Sequence, residues 1–150
     1  MRQRQYIVLI LILAIVFITA GCGRKKPPFL PKKEIPIRVE HLDAVWENGV
    51  FHLKGMVLFP EGGKEKMPPI SGCRVYYAFY AQNSPPCEGC PIDFAVLREI
   101  EGTVVAEKEF SCDISMKKKK GIHFFKVCLT GKNGEKGPLS DRAKAIIVDD

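Results

Sequence analysis

Histidine and tryptophan are scarce in this 150-residue chain, with three and one respectively. His41, His52 and His123 stand singly, at no metal-ligand spacing. There is no Gly-x-Ser-x-Gly elbow, and Gly62-Gly63-Lys64 lacks the spacing of a phosphate-binding loop. With neither an activated nucleophile nor a nucleotide cradle in view, no enzymatic activity and no cofactor are expected. Helical periodicity is also lacking beyond Pro36, where no window shows a 3.6-residue apolar stripe.

A charge excess in the bulk of the chain is missing too. The net charge is +6. Residues 1–40 hold eight Lys or Arg against Glu34 and Glu40, while residues 41–150 hold fifteen charges of each sign. Nucleic acid is therefore not an expected partner, because the basic excess lies wholly in the N-terminal segment.

That segment carries the clearest signal. Arg2 and Arg4 precede an uncharged apolar run over residues 6–20, and small residues then lead into Cys22. The run is 15 residues long, short of the roughly 20 that a spanning helix needs. It fits an export signal with a basic start, an apolar middle and a small-residue cleavage site. Ala20-Gly21-Cys22 resembles the lipobox of bacterial lipoproteins, with Thr19 where leucine is commonest. The resemblance implies that residues 1–21 are removed and that Cys22 becomes the acylated N-terminus. The other reading is an uncleaved anchor helix starting at Tyr6. Either places the rest of the chain outside the cytoplasm.

Residues 22–36 include Pro27, Pro28, Pro31 and Pro36, which cannot donate to a backbone ladder and favour an extended form. At about 3.1 Å per residue such a spacer lifts a domain roughly 40 Å from the membrane. Arg24, Lys25, Lys26, Lys32 and Lys33 are candidate contacts for anionic lipid headgroups, each adding on the order of 1 kcal/mol; the plainer reading is that they keep the linker solvated. Cys22-Gly23-Arg24-Lys25-Lys26-Pro27-Pro28 resembles the mature start of many small Gram-negative lipoproteins. Gly23 stands where an inner-membrane retention Asp is common in enterobacteria, so the outer membrane is favoured over the inner.

Residues 37–150 read as one all-β domain. Short apolar runs bounded by Gly, Pro and Asn predict seven strands, at 37–45, 50–59, 73–81, 94–100, 104–112, 122–130 and 143–148, and hence a sandwich. Gly121-Ile122-His123-Phe124-Phe125-Lys126-Val127-Cys128-Leu129, the polar turn from Lys132 to Ser140 and the strand after it resemble the F strand, FG loop and G strand of a fibronectin type III domain. Ile70-Ser71-Gly72-Cys73-Arg74-Val75-Tyr76 resembles its C strand. Gly55 stands where that family usually has a core tryptophan, and His123 where it has the corner tyrosine. Trp46 is expected to supply the missing aromatic, and His123 to reach a backbone carbonyl through a ring N–H. The whole chain is similar to fibronectin type III lipoproteins of some anaerobic proteobacteria.

Five cysteines remain after Cys22, an odd number, so at least one is unpaired. Cys87 and Cys90, between Pro85-Pro86 and Pro91, read as a disulfide that fixes a loop. Thioredoxin-like chemistry is disfavoured by the prolines, and haem attachment by Pro91 where His would be needed. A three-cysteine metal site with Cys112 is a further reading, and Cys73 and Cys128 are expected as small core or surface residues. Tyr76, Tyr77, Phe79, Tyr80, Phe124 and Phe125 would be split by period-two alternation between core and surface. Lys117 to Lys120 read as a solvated loop or as a contact for an acidic partner or lipid phosphate.

The expected function is thus a lipid-anchored, periplasm-facing cell-envelope protein whose domain is a binding or spacer module. Its partners would be the membrane and an envelope protein or polysaccharide. A periplasmic thiol or metal protein using Cys87 and Cys90, and a small envelope-assembly lipoprotein acting through the basic tail, are the alternatives.

Overall fold

The structure, a computed structural model, describes residues 34–60 and 69–148, with Gln3. Cys22, Arg24, Lys25, Lys26, Lys32 and Lys33 lie outside the described residues. Among the described residues no helix is long and apolar enough to cross a membrane.

Eight strands form: β1 (Arg38–Glu47), β2 (Val50–Leu58), β3 (Ile70–Tyr80), β4 (Ala95–Glu101), β5 (Val105–Ala106), β6 (Glu109–Ser115), β7 (Gly121–Gly131) and β8 (Ala143–Ile147). They build two four-stranded sheets, ordered β1-β2-β6-β5 and β4-β3-β7-β8, and every pairing within them is antiparallel. Strict alternation produces the two-layer packing: Phe110, Cys112 and Ile114 of β6 and Ala143, Ala145 and Ile147 of β8 point inward, and the residues between them are exposed. Phe51, Leu53, Phe110, Ile114, Phe125, Val127 and Leu129 are almost fully buried between the sheets. Burying each such side chain contributes about 1.5–3 kcal/mol.

The β1–β2 turn follows from Asn48-Gly49, both at positive φ (49° and 86°) between the paired Glu47 and Val50, the local geometry that a two-residue hairpin requires. Further back in β1 the register shifts between Glu40 and Asp43, with His41 at φ 53°. This bulge leaves both Val39 and Leu42 buried. It also explains Gly55 on β2. A Cβ there would lie 2.7 Å from Val39 Cγ1 and 3.1 Å from the Glu40 carbonyl oxygen, so the bulged strand leaves no room for an aromatic ring. The core is filled instead by Phe51 and Phe110, and Trp46 packs on Phe51 with ring centroids 4.6 Å apart.

The expected strand at 104–112 is corrected. The chain turns back between Ala106 and Glu109, which pair across a two-residue turn with Glu107 at φ 55°. Two strands result, and β6 runs on to Ser115. No Gly or Asn marks the turn, whose two residues are Glu107 and Lys108. Seven predicted strands thus become eight within the same two-sheet class.

The approach to β8 is fastened by Ser140. Its N–H donates to the Val127 carbonyl (2.8 Å), and its Oγ accepts from Val127 N–H (3.0 Å). Asp141 Oδ1 accepts from Leu42 N–H (3.2 Å), joining β1 to the other sheet.

Candidate binding face

The aromatic group divides across β3 and β7 as the pleat requires. Tyr77, Phe79, His123 and Phe125 lie on the core side, where Tyr77 pairs with Phe125 and Phe79 with His123. Tyr76, Ala78, Tyr80, Ile122 and Phe124 take the outer side. Ala78, Ile122 and Phe124 are nonetheless buried, because Tyr80, Ile92 and Phe94 pack over them as a second, smaller apolar cluster.

Ile92 and Phe94 come from the segment joining β3 to β4, and that segment carries Cys87 and Cys90. These two stand at disulfide distance, with Cα atoms 5.3 Å apart, inside the range the bond permits. Cys90 N–H also donates to the Cys87 carbonyl (3.2 Å). The staple closes a tight turn in the β3–β4 connection that covers the outer cluster. Sequence reading located the pair and placed Phe94 at the start of the fourth strand, but missed that Ile92 and Phe94 cover the sheet; the signal available was an apolar residue on either side of Asp93, just after a proline-rich loop.

Three cations fringe this face. Arg142 stands 5.1 Å over the Phe124 ring and Lys126 Nζ 5.3 Å over Phe94, within cation–π range. Lys144 pairs with Phe124 across β7 and β8. Val96 and Ile146 are 54% and 52% exposed on the same side. Of the acids on this face, Glu99 is bonded to Arg74, and Glu101 stands at the far end of β4, opposite Gly72. The outer face of the first sheet differs: Val45, Met56 and Leu58 are exposed there among Arg38, Glu40, Asp43, Lys54 and the hydrogen-bonded His52 and Asp113 (2.8 Å), with both signs interleaved.

His123, 1% exposed, takes the part expected of it. Nε2 lies 2.7 Å from the Lys119 carbonyl and Nδ1 2.9 Å from the Tyr77 hydroxyl. Burial holds its pKa below the ordinary histidine value; the hydrogen bond to the Lys119 carbonyl opposes this, and the nearby Lys119 cation reinforces it. Burial also raises the Tyr77 phenol. Lys119 is not simply solvated, since its Nζ sits 3.6 Å over the Phe79 ring.

Cys112 does not join Cys87 and Cys90. Because β6 runs through it to Ser115, Cys112 lies mid-strand in the core, where its thiol shares a hydrogen bond with Cys73, whereas Cys87 and Cys90 are exposed. Among the described residues no group of three or more His, Cys, Asp or Glu is placed to hold a metal ion. Cys128 is buried on the outer side of β7, opposite Arg74. Burial raises its thiol pKa, partly offset by a hydrogen bond with Tyr76 and by the Arg74 and Lys136 charges.

No protein-family model and no curated protein sequence matches the chain. Among solved structures, the third fibronectin III domain of human KIAA0343 protein superposes with a TM-score of 0.51 at 13% identity, covering 85% of this chain and 94% of that domain. Pectate lyase Pel3 from Pectobacterium carotovorum matches at a TM-score of 0.38 and 10% identity, over 75% of this chain and 27% of the lyase. The strand order β1-β2-β6 against β4-β3-β7-β8 and the first of these likenesses establish the domain as a fibronectin type III-like β-sandwich.

Proposed function

We propose that the chain is a lipid-anchored cell-envelope protein whose fibronectin type III-like domain is a binding module, docking its partner on the outer face of the β4-β3-β7-β8 sheet. The observation that carries this reading is the composition of that face: Tyr76, Tyr80, Val96 and Ile146 are open or half-open to solvent, beside Lys126, Arg142 and Lys144. Apolar and aromatic surface with a cationic fringe suits an envelope partner that presents acidic groups, either a protein or a polysaccharide. Cys22 carries the lipid, the proline-rich spacer sets the reach, and Arg24, Lys25, Lys26, Lys32 and Lys33 lie against anionic headgroups. The basic n-region, the uncharged run and the small residues before Cys22 support the anchor. The domain does no catalysis in this reading, and its residence is the periplasmic side of the outer membrane.

The test places a photo-crosslinking residue at Val96 or Ile146, with Met56 on the opposite sheet as control, in intact cells. Discrete adducts from Val96 and Ile146 and none from Met56 are expected. Equal labelling from both sheets, or none from Val96 and Ile146, contradicts the assignment of the face.

A further inference from the structure

Cys73 and Cys112 enter the core from opposite sheets. Cys73 lies on β3 between Ile100 of β4 and Leu129 of β7, and Cys112 lies on β6 beside Leu53 of β2. They are 0% and 6% exposed. Packed sheets stand about 10 Å apart, a gap that two side chains of one carbon and one sulfur span only where the layers draw together. Here they do, because the two thiols are in hydrogen-bond contact. We propose that Cys73 and Cys112 are the site of an inter-sheet disulfide, formed when the chain folds in the presence of a disulfide oxidant.

The chemistry balances as ordinary exchange. A thiolate from one cysteine attacks an external disulfide, forming a mixed disulfide and releasing one external thiolate. The second cysteine, as thiolate, attacks the mixed disulfide and releases the other. One S–S bond forms and one breaks, two electrons pass to the external disulfide, and the two thiol protons pass to the released thiolates. The step belongs to folding, before the layers close: in the native core the hydrogen bond that the Cys112 S–H donates to Cys73, and then burial, push the Cys112 thiol up, suppressing the thiolate that exchange needs. Cys128 is not a competing partner in the folded domain, since it faces away from the pair on the outer side of β7.

The full chain, unfolded and reduced in detergent, is refolded in a glutathione disulfide and glutathione buffer, alkylated in denaturant and peptide-mapped without reduction. The expected product joins Cys73 to Cys112 and leaves Cys128 alkylated. It should unfold at a higher urea concentration than the same protein refolded reduced, and it should resist mild reductant that opens Cys87–Cys90. Alkylation of both Cys73 and Cys112 in refolded protein, or pairing of either with Cys128, overturns the proposal. Cys128→Ala must leave the cross-link intact. The same mapping on protein taken directly from cells depends also on the envelope reading. A linked pair after refolding but free thiols from cells would count against that location and not against the site.

Discussion

The His123 imidazole meets the backbone carbonyl of Lys119, 2.7 Å from Nε2 and four residues upstream. A carbonyl can only accept, so Nε2 carries the proton; the neutral ring then accepts at Nδ1 from the Tyr77 hydroxyl. This pins the turn before β7 to the sandwich core. His123→Phe strips both partners of their bond and should cost about 1–3 kcal/mol, measured by urea unfolding at pH 8.

The same histidine predicts a pH response. Its folded pKa is depressed by burial, while the unfolded value is about 6.5. The unfolded chain therefore binds the extra proton first. The stability from neutral His123 is complete above about pH 6.5 and is lost as pH falls below it, down to the folded pKa. The difference in urea midpoint between the natural chain and His123→Phe should shrink from pH 8 to pH 5. A constant difference would contradict the assigned protonation state.

Gly55 tests the bulge in β1. A valine there has better strand propensity but meets Val39 and the Glu40 carbonyl, so Gly55→Val should destabilise by about 1–3 kcal/mol. Val39→Ala, by removing the nearest contact atom, should recover part of that loss in the double variant. Additive losses would show that the crowding is not between these two residues.

The two-layer class was legible because its strands alternate cleanly or, like β7, are apolar on both faces. The corner role of His123 was legible from its place in a strand resembling the F strand. The site was less so. The β5–β6 turn has no Gly or Asn, and missing it put Cys112 at a strand end when it lies mid-strand against Cys73. The covering of Phe124 by Ile92 and Phe94 depends on a fourteen-residue hairpin connection, 81–94, folding back on the sheet, and no local periodicity encodes that. Nor does alternation reveal which outer face is apolar; pairing order decides it.

Replacing Cys87 and Cys90 together with serine should cost at most about 2 kcal/mol, because the ring they close is small. The effect should be local: faster hydrogen exchange over residues 81–94 and greater access to the Phe124 cluster, with β1, β2 and β6 unchanged. Global loss of folding, or stoichiometric metal in the purified protein, would give these cysteines a larger role than holding a loop.

A domain tethered by lipid at Cys22 is the centre of the account, and the intact mass of the detergent-extracted protein tests it most directly. The predicted mass lacks residues 1–21 and includes a diacylglyceryl-type lipid on Cys22, while Cys22→Ser accumulates as the uncleaved precursor. An unmodified mature chain, or normal processing of Cys22→Ser, would contradict it.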